Sequence, residues 1–190
     1  MRLSLVNSKG VVMNGVSVKS THARFIFLYK KPNTTIMTVT LDDSTIDSAL
    51  LKGVDTRDLN QWLTASIKDQ GYILHDIAIQ LVGDEQLLKA NQAFLSHDTY
   101  TDVITFDRSR EHRILGDIMI SIDRVVANAN ELKISVDKEL HRMVIHGALH
   151  LCGYVDTTQA ERSHMHDLEN NYLSQHPNCS TWNIDSEKDE

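Results

Sequence analysis

From Met143 to Cys152 the chain reads Met-Val-Ile-His-Gly-Ala-Leu-His-Leu-Cys, apolar or small at every position but two, and both exceptions are histidine. A helix that is apolar all round is buried rather than amphipathic. A buried imidazole must then find partners or cost about 1 to 3 kcal/mol in desolvation. Four residues apart, His146 and His150 lie about 40° apart on one helical face, with Cβ atoms about 5 to 6 Å from each other. Two imidazole nitrogens at that spacing reach one metal ion at about 2.0 to 2.1 Å. Core histidines bonded to neighbouring carbonyls or carboxylates are the bland alternative. A pair on an otherwise apolar helix, followed by Gly153 and an acid, favours metal.

A catalytic zinc site needs a third protein ligand and one open position. Gly153 can end the helix and reverse the chain, so that residues beyond the turn swing back toward the histidine face. Asp156, six residues after His150, is the strong ligand within that reach, and His164 and His166 on the next helix are further candidates. The familiar zinc-protease pattern puts Glu directly after the first His as general base. Here that position is Gly147, and a zinc metalloprotease would have to recruit Glu139, one or two turns earlier.

Around this segment the periodicity predicts a short strand Thr38 to Leu41 and a helix capped by Asp55 or Thr56 that runs to Gly71. A strand from Asp76 to Val82 follows, then a helix from Gly83 or Asp84 carrying Leu87, Asn91 and Phe94. Strands Asp102 to Phe106 and Ile114 to Ile122 flank a charged connection. Asp123 is expected to cap a helix to Lys133, Ser135 or Asp137 to open the long helix, and Thr158 to begin the last one, ending near Leu173. Strands early and helices late give an α/β (α+β) class: a single compact domain with a small mixed β-sheet and a long metal-binding helix.

The net charge of −7 is unevenly spread. Residues 1–36 hold six Lys/Arg and no acid, whereas residues 37–175 sum to −10 and the last fifteen to −3. The expected division is a basic extension over 1–36, a domain over 37–175 and a solvated acidic tail over 176–190. The extension is read as an RNA-binding arm, a targeting segment or sequence upstream of a start at Met37. No apolar run approaches the roughly 20 residues that span a bilayer. With Cys152 and Cys179 read as free thiols, the expected location is cytoplasmic, with no membrane partner.

The segment His146-Gly-Ala-Leu-His150-Leu-Cys-Gly153-Tyr154 resembles the signature of the YbeY family, bacterial metal-dependent endoribonucleases involved in ribosomal RNA maturation. Asn91 with Phe94, then Thr101-Asp-Val-Ile-Thr-Phe106 and Leu115-Gly-Asp-Ile-Met-Ile-Ser121, match its other blocks in order and spacing. The resemblance spans roughly residues 37–175. It implies one zinc ion on His146, His150 and Asp156, with aspartate where the third ligand is commonly histidine, and no small-molecule cofactor. The implied activity is hydrolysis of single-stranded ribosomal RNA at the 3′ end of 16S rRNA, in contact with the small ribosomal subunit. In that mechanism the ion lowers the pKa of bound water toward 7 and polarises a phosphoryl oxygen, and no other catalytic group is identified. An arginine credited with RNA function in the family aligns with Leu95, so RNA contact is assigned to the nearest basic cluster, Arg108, Arg110 and Arg113. Asp117 is expected to hydrogen-bond loop backbone or a ligand histidine rather than to act as catalyst. The reading from another class is a non-catalytic ribosome-assembly factor with a structural metal.

Overall fold

A computed structural model of the protein describes residues 4–7, 12–14, 38–42 and 54–182. Among these residues six strands form one sheet: β1 (Ser4–Asn7), β2 (Val12–Asn14), β3 (Thr38–Asp42), β4 (Ile73–Val82), β5 (Val103–Asp107) and β6 (Arg113–Ser121), in the order β2-β1-β5-β6-β4-β3. The pairs β3 with β4 and β4 with β6 are parallel, while β5 with β6, β1 with β5 and β1 with β2 are antiparallel, which makes the sheet mixed. Both β1 and β2 lie in the basic stretch 1–36, and β1 supplies the strand beside β5.

Among the described residues the α-helices are α1 (Thr56–Asp69), α2 (Asp84–Leu95), α3 (Ile122–Leu132), α4 (Val136–Leu151) and α5 (Gln159–Ser174). Their ends follow the local chemistry. Asp55 caps α1 through the N–H of Arg57 at 2.7 Å, and Gly71 takes the left-handed exit at φ 81°. Ser135 caps α4, and Thr158 forms a reciprocal capping box with Glu161 at the start of α5. The expected cap of α3 shifts by two residues. Ser121 accepts from the N–H of Arg124, and Asp123 instead accepts from the N–H of Asp84 at 2.8 Å, serving the start of α2, whose own N-cap is Gly83.

Side chains alternate across the strands, so the sheet has two buried faces. Ile118 and Ile120 of β6 join the larger core with α1, α4 and α5, whereas Met119 joins Leu87, Ala90 and Leu95 of α2 on the other side. Leu95 is thus a core residue of α2. The long helix α4 lies close on β5 and β6. A Cβ on Gly147 would sit 2.8 Å from Cγ2 of Ile118, and one on Gly116 would sit 2.7 Å from Cδ2 of Leu151.

The stretch from His176 is not a solvated tail at its beginning. His176 and Trp182 are each 2% exposed. Their rings stack at 4.6 Å between centroids, and both pack on His141, while His176 also meets Trp62 edge-on at 5.1 Å. Trp182 further donates its indole N–H to Asp137. Residues 183–190, which carry the acids of that stretch, lie outside the described residues.

Candidate metal centre

The last two turns of α4 carry His146 and His150 into the interior, 8% and 4% exposed. Gly153, at φ 96°, reverses the chain after Cys152, a conformation that a residue with a Cβ adopts poorly. The returning loop brings Asp156 back onto the histidine face, 5% exposed. The two Nε2 atoms lie 3.0 Å apart, and each stands 3.9 Å from a carboxylate oxygen of Asp156. Ligand atoms at 2.0 to 2.1 Å around a tetrahedral ion are separated by roughly 3.3 Å, so the two nitrogens and the Asp156 carboxylate, which turns Oδ2 toward His146 and Oδ1 toward His150, are arranged about one ion-sized space. Among the described residues they are the group of three or more potential ligands gathered closely enough for a metal. His164 and His166 are not part of it.

Each imidazole is fixed from behind. The Nδ1–H of His150 donates to the carbonyl of Tyr154 at 2.9 Å, and that of His146 donates to Oε1 of Glu169 at 2.8 Å. Both bonds leave Nε2 directed inward, the arrangement in which a hydrogen-bonded imidazole presents its other nitrogen to a metal. Asp156 gives the clearest test of fit, because its Oδ1 is buried with no hydrogen-bond partner. A buried carboxylate oxygen left so is costly, and a cation between it and the two nitrogens would satisfy all three.

The electrostatics agree. Burial pushes the Asp156 carboxyl up, with the charges of His146 and Arg162 only partly opposing it. Burial pushes His150 down to about 3, helped by the charge of His146, so its ring is neutral with a free lone pair at neutral pH. Burial also opposes charge on His146, but the bond to Glu169 and the negative field of Glu169, Asp102 and Asp156 prevail and raise it. Glu169 in turn is held below the usual carboxylate range despite burial, by His146 and by Arg142, whose Nη1 lies 3.2 Å from Oε2. The site is therefore buried, with His150 held neutral and His146 drawn toward its charged form by the acids around it.

The acid bonded to a histidine of the candidate site is Glu169, whereas Asp117 bonds neither His146 nor His150. Asp117 is taken by Arg108, at 2.9 Å to Nε and 3.1 Å to Nη2. That ion pair commits Arg108 within the β5–β6 hairpin, whereas Arg110 and Arg113 are exposed and face each other across its tip. The signal for Glu169 was a lone acid among the inward positions Met165, Leu168, Tyr172 and Leu173 of α5, at helical spacing. Glu139 is buried seven residues from His146, about 10 Å along the helix. It accepts from Asn128 and lies 3.5 Å from Arg142, away from the ligand atoms. Gly147 faces the sheet. The peptidase arrangement thus has neither its base nor room for one.

The family model described as endoribonuclease YbeY matches residues 42–176. An endoribonuclease YbeY of Bacteroides thetaiotaomicron is 40% identical over 121 residues, 64% of this chain and 88% of the relative. One of Christiangramia forsetii is 41% identical over 113 residues, 60% of this chain and 79% of the relative. In fold, the chain is similar to the solution structure of a Thermotoga maritima protein, with a TM-score of 0.51 and 24% identity over 80% of this chain and 100% of that one. The matched region contains all three converging side chains together with Glu169, and the chain belongs to the endoribonuclease YbeY family.

Proposed function

We propose that this protein is a metal-dependent endoribonuclease that holds one zinc ion on His146, His150 and Asp156 and hydrolyses single-stranded RNA. Its substrate is ribosomal RNA, with the 3′ end of 16S rRNA in the small ribosomal subunit as the site of action in the cytoplasm. Family membership supports the nuclease activity. The observation that carries the metal is the meeting of two buried Nε2 atoms with a carboxylate whose buried Oδ1 has no other partner. Two imidazoles and a carboxylate suit zinc, and oxygen in the third place also admits harder divalent ions.

A bound zinc ion supplies a Lewis acid and an acidified water at neutral pH. The chain's own groups do the rest. Glu169 and the Tyr154 carbonyl hold both rings in the tautomer that frees Nε2, and the surrounding apolar face of α4 keeps bulk water out. A structural zinc closes its shell with four protein ligands. Three gather here among the described residues, which leaves a position open and favours hydrolysis over a purely structural metal. No helix of the described residues is long and apolar enough to cross a membrane.

The test is metal analysis of purified protein together with cleavage of a single-stranded ribosomal precursor RNA. His150→Ala should lose bound zinc and cleavage together while remaining folded. Cleavage retained by metal-free protein would overturn the assignment.

A further inference from the structure

Arg108 is tied to Asp117, which leaves Arg110 and Arg113 exposed at the hairpin tip, and α5 offers a second surface for RNA, beside the metal centre. At 100° per residue, Gln159, Arg162, Ser163, His166 and Asn170 fall on one face of this helix. All five are exposed, and the side chain of His166 is 61% accessible. None is an acid, although residues 37–175 as a whole carry −10. Asp167 lies a quarter turn aside. Glu161 is used in capping Thr158 and also binds Thr157.

This face meets the site at the loop that carries Asp156 and again beside Glu169, behind His146. Arg162 places Nη1 on the carbonyls of Asp156 at 3.2 Å and Thr157 at 2.6 Å. A guanidinium has five N–H donors in a fixed fork, so donors remain for an outside anion. His166 sets Nδ1 at 3.6 Å from Oε2 of Glu169, the acid that orients His146. Asn170 meets Arg142 through its oxygen at 3.0 Å, which leaves its amide N–H groups to point elsewhere. Arg162, His166 and Asn170 follow at four-residue steps, about 6 Å along the axis, comparable with the separation of successive phosphates in an extended strand.

We propose that the Arg162–His166–Asn170 face of α5 is the track on which a single strand of RNA lies, its phosphates taken by Arg162 and His166, so that the strand passes the metal centre. The proposal rests on the nuclease reading for its substrate, but its test reads binding rather than cleavage. The probe is a short fluorescein-labelled single-stranded RNA, titrated by anisotropy into zinc-loaded full-length protein over a range of salt concentrations.

His166→Gln, which keeps a neutral polar side chain beside Glu169 but no ring, should weaken binding several-fold with zinc content and melting temperature unchanged. Arg162→Gln should weaken it and lower the magnitude of the salt slope by about 0.7, one phosphate contact on a single strand. Arg110→Gln with Arg113→Gln should leave binding as in the wild type. RNA affinity and salt slope unchanged in both α5 variants, or lost only in the hairpin variant, would overturn the track. A wild type that binds this RNA through α5 yet cleaves none would sink the nuclease reading and leave the track standing.

Discussion

Oε1 of Glu169 lies 2.8 Å from Nδ1 of His146 and holds that ring from a helix that begins three residues after Asp156. The same turn of chain that returns Asp156 to the site therefore also delivers the acid behind the first histidine. Partners of this kind typically contribute 10- to 100-fold to metal affinity by fixing the ring and its tautomer. Glu169→Ala is expected to weaken zinc binding by about that factor, and Glu169→Gln, which still accepts from Nδ1–H, by less. Competition titration against a chromophoric chelator measures both. Equal affinities for wild type and Glu169→Ala would remove Glu169 from the site.

Gly147 is set by packing rather than by chemistry. A Cβ there would meet Cγ2 of Ile118 at 2.8 Å, Cδ1 of the same residue at 3.1 Å and Cγ2 of Thr105 at 3.3 Å. All of these atoms belong to the buried face of β5 and β6, where overpacking costs about 1 to 3 kcal/mol. Gly147→Ala should destabilise the protein by that amount in urea unfolding, with α4 displaced from the sheet. A stability equal to wild type would mean that the helix has room to move.

Much of this was legible in the sequence. The histidine pair stands out because nothing polar surrounds it, and Gly153 with Asp156 completes it through local turn chemistry. Glu169 was harder to see, since a single glutamate on a helix is ordinarily a solvated one and only the fold reveals that its face turns inward. Arg108 and Asp117 sit on paired strands, and their ion pair depends on the β5–β6 register, which residue types alone do not fix. Trp182 was hidden by its company: Pro177, Asn178 and the terminal acids read as solvent, while the indole six residues after His176 returns to the core.

That return predicts the effect of shortening the chain. Trp182 is 2% exposed and donates to Asp137 in the first turn of α4. Removing a buried tryptophan side chain costs about 3 to 5 kcal/mol. Trp182→Ala, or truncation after Gln175, should lower the unfolding free energy by at least that much, whereas truncation after Trp182 should preserve most of it. Chemical unfolding followed by circular dichroism distinguishes the cases. A full-stability protein ending at residue 175 would show that the segment only rests on the surface.

The ring cluster under Trp182 also sets an acid limit on stability. Burial pushes His176 down to about 4 from 6.5, and the charge of neighbouring His141 adds to this against the opposing pull of Asp137. Its Nδ1 accepts from the N–H of Asn178 at 3.1 Å, and its Nε2 is buried with no hydrogen-bond partner, so the folded ring is neutral. The unfolded chain takes up this proton below about pH 6.5, and the folded chain only near pH 4. Unfolding is therefore favoured progressively as pH falls through that window, by at most about 1.4 kcal/mol per pH unit from this group. Above pH 6.5 both states are neutral and the contribution is flat. His176→Phe keeps a ring against Trp62 and Trp182 but cannot bind the proton, so its stability should fall less steeply between pH 6.5 and 4 than that of the wild type. Urea unfolding at several pH values across the window tests this, and parallel slopes for the two proteins would assign the acid sensitivity to other groups.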